Sequence, residues 1–206
     1  MRVDEPMSWP VMSRDVLGEG RVSSFVDEHI KTPSGEIIQR QYLTHPGAVA
    51  VVAWCEDTDE IAVLRQYRHP VKMELVEIPA GLLDVDGEDW LLAAQRELAE
   101  EAELKADRWD VLVDMCTTPG ACEESLRVYL ARDLSDSTRP EGFVLEGEEA
   151  HMSWDWVPRA DLVEAVLAGG CQSPTLVAGI MALEVARLSD RLDQLRPTSA
   201  EWPIRQ

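Results

Sequence analysis

The stretch from Gly81 to Leu104, Gly-Leu-Leu-Asp-Val-Asp-Gly-Glu-Asp-Trp-Leu-Leu-Ala-Ala-Gln-Arg-Glu-Leu-Ala-Glu-Glu-Ala-Glu-Leu, constrains the chain more than any other. Its second half predicts a helix from about Asp89 to Glu103, with Asp89 at the N-cap or first turn. Leu91, Leu92, Ala94, Leu98 and Ala102 form the apolar stripe of that helix. Glu97, Glu100 and Glu101 then stand at i, i+3 and i+4, so three carboxylates crowd one face within about a turn. Like charges at that spacing repel unless solvent, Arg96 or a bound cation offsets them, and hard divalent cations such as Mg²⁺ take oxygen ligands of this kind. On spacing alone two readings are open: a metal site, or a solvated acidic helix face.

The chain is 206 residues long, enough for one domain with a sizeable core, or for one domain plus a small appendage. Its 19 Lys and Arg stand against 39 Asp and Glu, a formal net charge of −20. That balance argues against nucleic acid or an anionic membrane as partner, since both demand basic surface. A phosphorylated small molecule remains compatible, provided metal ions and a few focused Arg or Lys residues hold it. The first residues carry no apolar signal-peptide core, and no apolar run reaches the length of a membrane span. Cys55, Cys116, Cys122 and Cys171 contain no CxxC pair, so reduced thiols in a cytoplasmic protein are expected and a cysteine-based zinc site is not.

Arg21 to Lys31 and Glu36 to Thr44 read as two strands joined by the turn Thr32-Pro33-Ser34-Gly35. Ala48 to Trp54 is a buried-strand pattern, followed by a polar turn and a strand from Ile61 to Tyr67 that ends in Gln66-Tyr67-Arg68-His69. Arg68 either clamps phosphate or pairs with a carboxylate at the surface; the spacing does not choose. Glu74 to Ile78 is a further short strand, stopped by a bend at Pro79-Ala80-Gly81, where a freed carbonyl can serve a metal. Trp109 to Thr117, Ser125 to Ala131 and Met152 to Val157 complete the strands. A helix from Pro158 to Leu167 and another from Ser173-Pro174 to about Leu195, with Leu176, Ile180, Leu183 and Val185 on its apolar face, end the ordered part. Residues 196–206 are expected to be a loosely ordered tail.

These residues meet a known pattern. The stretch from Gly81 resembles the signature of the Nudix hydrolases, G-x5-E-x7-R-E-U-x-E-E-x-G-U with U apolar, through Gly81, Glu88, Arg96, Glu97, Glu100 and Glu101. It departs twice: the first spacer has six residues, Leu82 to Gly87, and Glu103 stands in place of the terminal glycine. The longer loop should leave the metal-binding half intact, whereas loss of the glycine removes the residue best suited to a left-handed helix end and predicts a different termination. Gly47-Ala48-Val49-Ala50-Val51-Val52, Gln66-Tyr67-Arg68-His69, Glu77-Ile78-Pro79-Ala80-Gly81-Leu82 and Thr118-Pro119-Gly120 resemble the ADP-ribose pyrophosphatase branch of that family.

The resemblance implies an α+β fold of the α/β/α sandwich type with a mixed central sheet, plus an N-terminal antiparallel β subdomain. Residues 1–45 would form that hairpin subdomain and mediate dimerisation, 46–195 the Nudix domain, and 196–206 the tail. It implies hydrolysis of the diphosphate of ADP-ribose to AMP and ribose 5-phosphate, with Mg²⁺, or alternatively Mn²⁺, as cofactor, in a cytoplasmic homodimer. Glu97, Glu100, Glu101 and the Ala80 carbonyl would hold metal, and Arg96 would orient the carboxylates. The acidic loop Glu146 to His151 would supply the general base, Glu149 first and Glu148 as its alternative. Arg68 would hold the diphosphate, Glu77 a ribose hydroxyl or the adenine, and Arg40 would reach the nucleotide across a dimer interface. The competing implications are another nucleoside diphosphate sugar or dinucleotide as substrate, and a catalytically silent nucleotide-binding regulator.

Overall fold

The structure, a computed structural model, describes every residue except Met1, Glu141, Val144, Leu145, Glu146, Glu148, Gln206 and the side chain of Glu149. The chain divides into two compact units, one of Met1–Gly47, Met115–Leu126 and Glu201–Gln206, the other of Ala48–Asp114 and Arg127–Ala200.

In the smaller unit β1 (Val11–Glu19), β2 (Ser24–Lys31) and β3 (Ile37–Leu43) form an antiparallel sheet in that order. The β2–β3 hairpin closes as expected at Thr32 to Gly35: Thr32 N–H donates to Glu36 O (2.8 Å) and Gly35 N–H to Thr32 O (2.9 Å). Strand β1 was not legible in the sequence. Its pairing with β2 slips between Val11 and Ser13 and again between Val16 and Gly18, which breaks the two-residue alternation that marks a strand. Trp202 and Arg205, near the C-terminus, belong to this unit and are not loose: Trp202 is buried, and the Arg205 guanidinium lies 5.8 Å from the centre of its ring.

The larger unit holds β4 (Ala48–Cys55), β5 (Glu60–Arg68), β6 (Met73–Glu77), β7 (Ala80–Leu82), α1 (Trp90–Ala102), β8 (Leu104–Cys116), β9 (Ser125–Asp136), β10 (Ser153–Pro158), α2 (Arg159–Leu167) and α3 (Pro174–Leu188). Its seven-stranded sheet runs β10-β5-β4-β9-β8, with β6 added on β5 and β7 on β4. Strand β4 is apolar throughout because both its faces are covered. Val49, Val51 and Ala53 pack with Ala94, Leu98 and Ala102 of α1. Val52, pointing the other way, lies under α3 so closely that a Cβ on Gly179 would come within 2.7 Å of its Cγ2. Helices on both faces of the sheet make the expected α/β/α layers. Among the described residues no helix is long and apolar enough to cross a membrane.

Several boundaries differ from the expectation for physical reasons. Strand β8 begins at Leu104 and β9 runs on to Asp136, because charged residues that look like loop are met by ion pairs along the strands. Arg132, 3% exposed, donates to Asp110 at 2.5 Å, and Arg108 pairs with Glu56. Helix α3 stops at Leu188, well short of Leu195: Ser189 Oγ donates to Val185 O (2.6 Å) and Asp190 takes φ 53°. Val185 and Leu92 face outward, and Ala186 and Ala93 take the buried positions.

Candidate active site

Helix α1 begins where Asp89 Oδ1 accepts from the N–H groups of Leu91 (2.9 Å) and Leu92 (3.4 Å), the N-cap expected from sequence. From there the helix carries Glu97, Glu100 and Glu101 into the protein rather than into solvent, at 9%, 8% and 8% exposure. Burial on this scale rules out the solvated-face reading, since ionised carboxylates withdrawn from water need compensation.

Arg96 supplies part of it. Its Nη1 donates to Glu97 Oε1 at 2.5 Å and to Glu100 Oε2 at 3.2 Å. Its Nε and Nη2 grip Glu88, a residue of the preceding loop that matches the motif and whose role the sequence alone does not reveal. These partners, Glu88 foremost, push the guanidinium's pKa further above its ordinary value and keep it charged. Glu101 Oε2 accepts from the Ala80 N–H at 2.8 Å.

The chain reaches Ala80 by changing partners. Strand β6 pairs with β5, and two residues later β7 pairs with β4, so the expected bend at Pro79 is a switch from one strand to its neighbour. Val51 N–H bonds to Pro79 O (2.8 Å), which makes Ala50 and Ala80, the next opposed pair, the kind that exchanges no hydrogen bonds. Both polar groups of Ala80 therefore point away from β4. The N–H goes to Glu101, and the carbonyl lies on the same edge. Next to it, a Cβ on Gly81 would overlap the carboxyl group of Glu97, so any side chain here would displace that carboxylate.

Both departures from the family pattern are absorbed. The added residue falls in a turn where Glu88 N–H bonds to Val85 O (3.2 Å) and Gly87 takes φ 77°, leaving Glu88 in reach of Arg96. Glu103 does not end the helix differently: it adopts the left-handed conformation itself, φ 54° and ψ 36°, with its N–H on Leu98 O. The expectation of an altered terminus is corrected on that point.

Arg68 and Glu77 are brought together. Arg68 Nε and Nη2 donate to the two oxygens of buried Glu77 at 3.0 and 2.6 Å, so the carboxylate-paired reading of Arg68 describes this structure. Arg40 lies in the smaller unit on β3, opposite Glu28 in register, exposed, with Nη1 on the Gln39 carbonyl at 2.7 Å. Glu149 opens a short 3-10 turn, Glu149–His151, alongside β5, while its side chain, together with Glu148, lies outside the described residues.

The donor set around α1 fits a hard cation. It is oxygen only: four carboxylates, Glu88, Glu97, Glu100 and Glu101, lie in a largely buried place, and Arg96 is the guanidinium that pairs with three of them. Among the described residues no three acidic, His or Cys side chains converge on one centre, and Arg96 and the Ala80 N–H are bonded to these carboxylates.

The NUDIX domain family matches residues 44–173. An ADP-ribose pyrophosphatase of Mycobacterium tuberculosis is 40% identical over 191 residues, 93% of this chain and 89% of that protein. An ADP-ribose pyrophosphatase of Bacillus subtilis is 36% identical over 124 residues, 60% of this chain and 66% of that one. A crystal structure of an ADP compounds hydrolase superposes with a TM-score of 0.70 over 92% of this chain and all of that one, at 18% identity, a likeness of fold. With the Arg96-centred carboxylate helix in place and a match over most of its length, the chain belongs to the Nudix hydrolase family and is an enzyme of that family.

Proposed function

We propose that this enzyme hydrolyses the diphosphate bond of ADP-ribose to AMP and ribose 5-phosphate, with Mg²⁺ as cofactor and Mn²⁺ as its alternative. The observation that carries the reading is the buried and complete α1 triad, with Arg96 on Glu97 and Glu100 and the Ala80 N–H on Glu101, in a chain whose 40%-identical relative bears that activity in its name.

Glu97, Glu100, Glu101 and the Ala80 carbonyl would hold the metal. A divalent cation there offsets the diphosphate's negative charge and makes a water more acidic. Arg96 keeps Glu97 and Glu100 oriented, and Glu77 holds Arg68 for the diphosphate through two hydrogen bonds. Glu149, on the turn beside β5, accepts the proton of the attacking water, with Glu148 as the alternative base. The protein works as a cytoplasmic homodimer assembled through its N-terminal sheet, so that Arg40 of one copy meets the nucleotide held by the other. In support, all nine residues of β1 are exposed, among them the apolar Val11, Met12, Val16 and Leu17, an arrangement suited to pairing with another chain.

The test is a substrate panel of ADP-ribose, NADH, ADP-glucose, GDP-mannose and diadenosine polyphosphates with Mg²⁺, beside Glu101→Gln. AMP release from ADP-ribose that is lost in Glu101→Gln is the expected result. No AMP from any adenosine substrate, or full turnover in Glu101→Gln, overturns the proposal. Preference for a different diphosphate sugar would move the substrate and leave the metal helix standing.

A further inference from the structure

The end of α1 is tied to a distant part of the chain by bonds that no motif prescribes. Arg139 Nε donates to the Glu100 carbonyl at 2.8 Å, and its Nη1 lies 2.6 Å from Glu103 Oε1. Two residues earlier, Ser137 N–H donates to the Glu103 carbonyl at 2.7 Å. The Glu100 carbonyl is one of the last four of α1, which have no partner within a helix.

We propose that Arg139 and Glu103 form a latch that positions the last turn of α1, and with it the carboxylates of Glu100 and Glu101. The inference rests on the reading of α1 as the metal-holding helix. Glycine at 103 would take the left-handed conformation without strain but would give Arg139 no carboxylate. Glutamate bears the strain and gains the pair. With Arg139 35% and Glu103 44% exposed, solvent screens that pair and it contributes little to stability. Its effect is geometric: the planar guanidinium is fixed at two points, one of them the backbone of a candidate ligand. Arg139 and Glu103 are therefore positioning residues, acting through Glu100 and Glu101.

The test uses Glu103→Gly, Arg139→Ala and the double variant, read by urea unfolding of the metal-free protein, by Mn²⁺ titration followed by electron paramagnetic resonance, and by turnover of ADP-ribose. Glu103→Gly should be as stable as the parent or more so, yet lose turnover about tenfold with a comparable rise in Mn²⁺ half-saturation, the scale seen when a residue supporting a metal ligand is removed. Arg139→Ala should match it, and the double variant should be no worse than either alone. Parental turnover and Mn²⁺ half-saturation in Glu103→Gly, or costs that add in the double variant, overturn the latch. A parent protein that binds no Mn²⁺ overturns the reading of α1 itself, and the latch with it.

Discussion

Arg96 holds Glu88 by two parallel hydrogen bonds, Nε to Oε1 at 3.1 Å and Nη2 to Oε2 at 3.0 Å, and so joins α1 to the loop that precedes it. The same guanidinium turns its third nitrogen to Glu97 and Glu100. One planar cation thus fixes three carboxylates in different directions, which a flexible ammonium cannot do.

Arg96→Lys tests that geometry while keeping the charge. Lysine can meet one or two of the carboxylates but cannot grip Glu88 with a fork and reach Glu97 and Glu100 at once. Turnover should fall about 10–100-fold with a matching loss of metal affinity. Stability should fall by about 1–3 kcal/mol in urea unfolding, the cost of leaving a largely buried acceptor without its donor. An unaltered turnover would show that charge alone suffices.

Gly81→Ala probes the close approach of β7 to α1. The added methyl overlaps the carboxyl end of Glu97, a flexible group, so Glu97 swings aside and the backbone stays. The expected outcome is a loss of metal affinity and turnover of about 10–100-fold with stability within about 1 kcal/mol of the parent. Equal losses in stability and activity would mean that the backbone moved instead.

Arg159 joins the β4–β5 turn to α3, and its partners set an acid limb. Arg159, itself buried, donates to both Asp59 oxygens at 2.8 Å and also reaches Glu184. Hydrogen bonding from Arg159 lowers the Asp59 pKa below its ordinary 3.8, and bonding from Arg187, helped by Arg159, lowers that of Glu184 below 4.5. Carboxylates depressed in the folded state contribute stability that is whole above their unfolded values and is lost as pH falls through the folded ones. The melting temperature should hold down to about pH 5 and fall below about pH 4. Arg159→Met removes the shared cation, so its melting temperature should start lower and drop less on acidification. Parallel acid limbs in thermal unfolding from pH 7 to 3 would assign the limb to other groups.

What the sequence made legible follows from the range of each signal. Helix α1 is marked by its local period, strand β4 by an unbroken apolar run, and the N-cap at Asp89 by a residue beside its own helix. The roles of Glu88 and Arg96 were half legible, because eight residues separate them and only the fold shows which carboxylate the guanidinium prefers. Strand β1 and the charged ends of β8 and β9 were not, since slipped pairing hides one and cross-strand ion pairs such as Arg132 with Asp110 neutralise the others. Arg139 lies 36 residues from Glu103, in a polar connection that carries no local mark. Glu103 misled in the opposite direction, because a local rule about glycine was overridden by contacts made from that connection.

Glu149, the proposed general base, is open to a kinetic test. It begins the turn whose backbone lies beside β5, the strand that ends in Arg68, the residue proposed to hold the diphosphate. A base is needed only when the water attacks, and its loss should therefore spare substrate affinity and lower turnover. Glu149→Gln should reduce kcat by about 100-fold or more with KM for ADP-ribose little changed, in the range of 10²–10⁴-fold typical of proton transfer by a positioned side chain. The pH profile distinguishes loss of a base from loss of a contact: the acid limb of kcat in the parent should vanish in Glu149→Gln if the carboxylate takes the proton. If Glu148→Gln produces both effects and Glu149→Gln neither, the base is the neighbouring residue. A rise in KM with unchanged kcat in Glu149→Gln would place that side chain against the substrate instead.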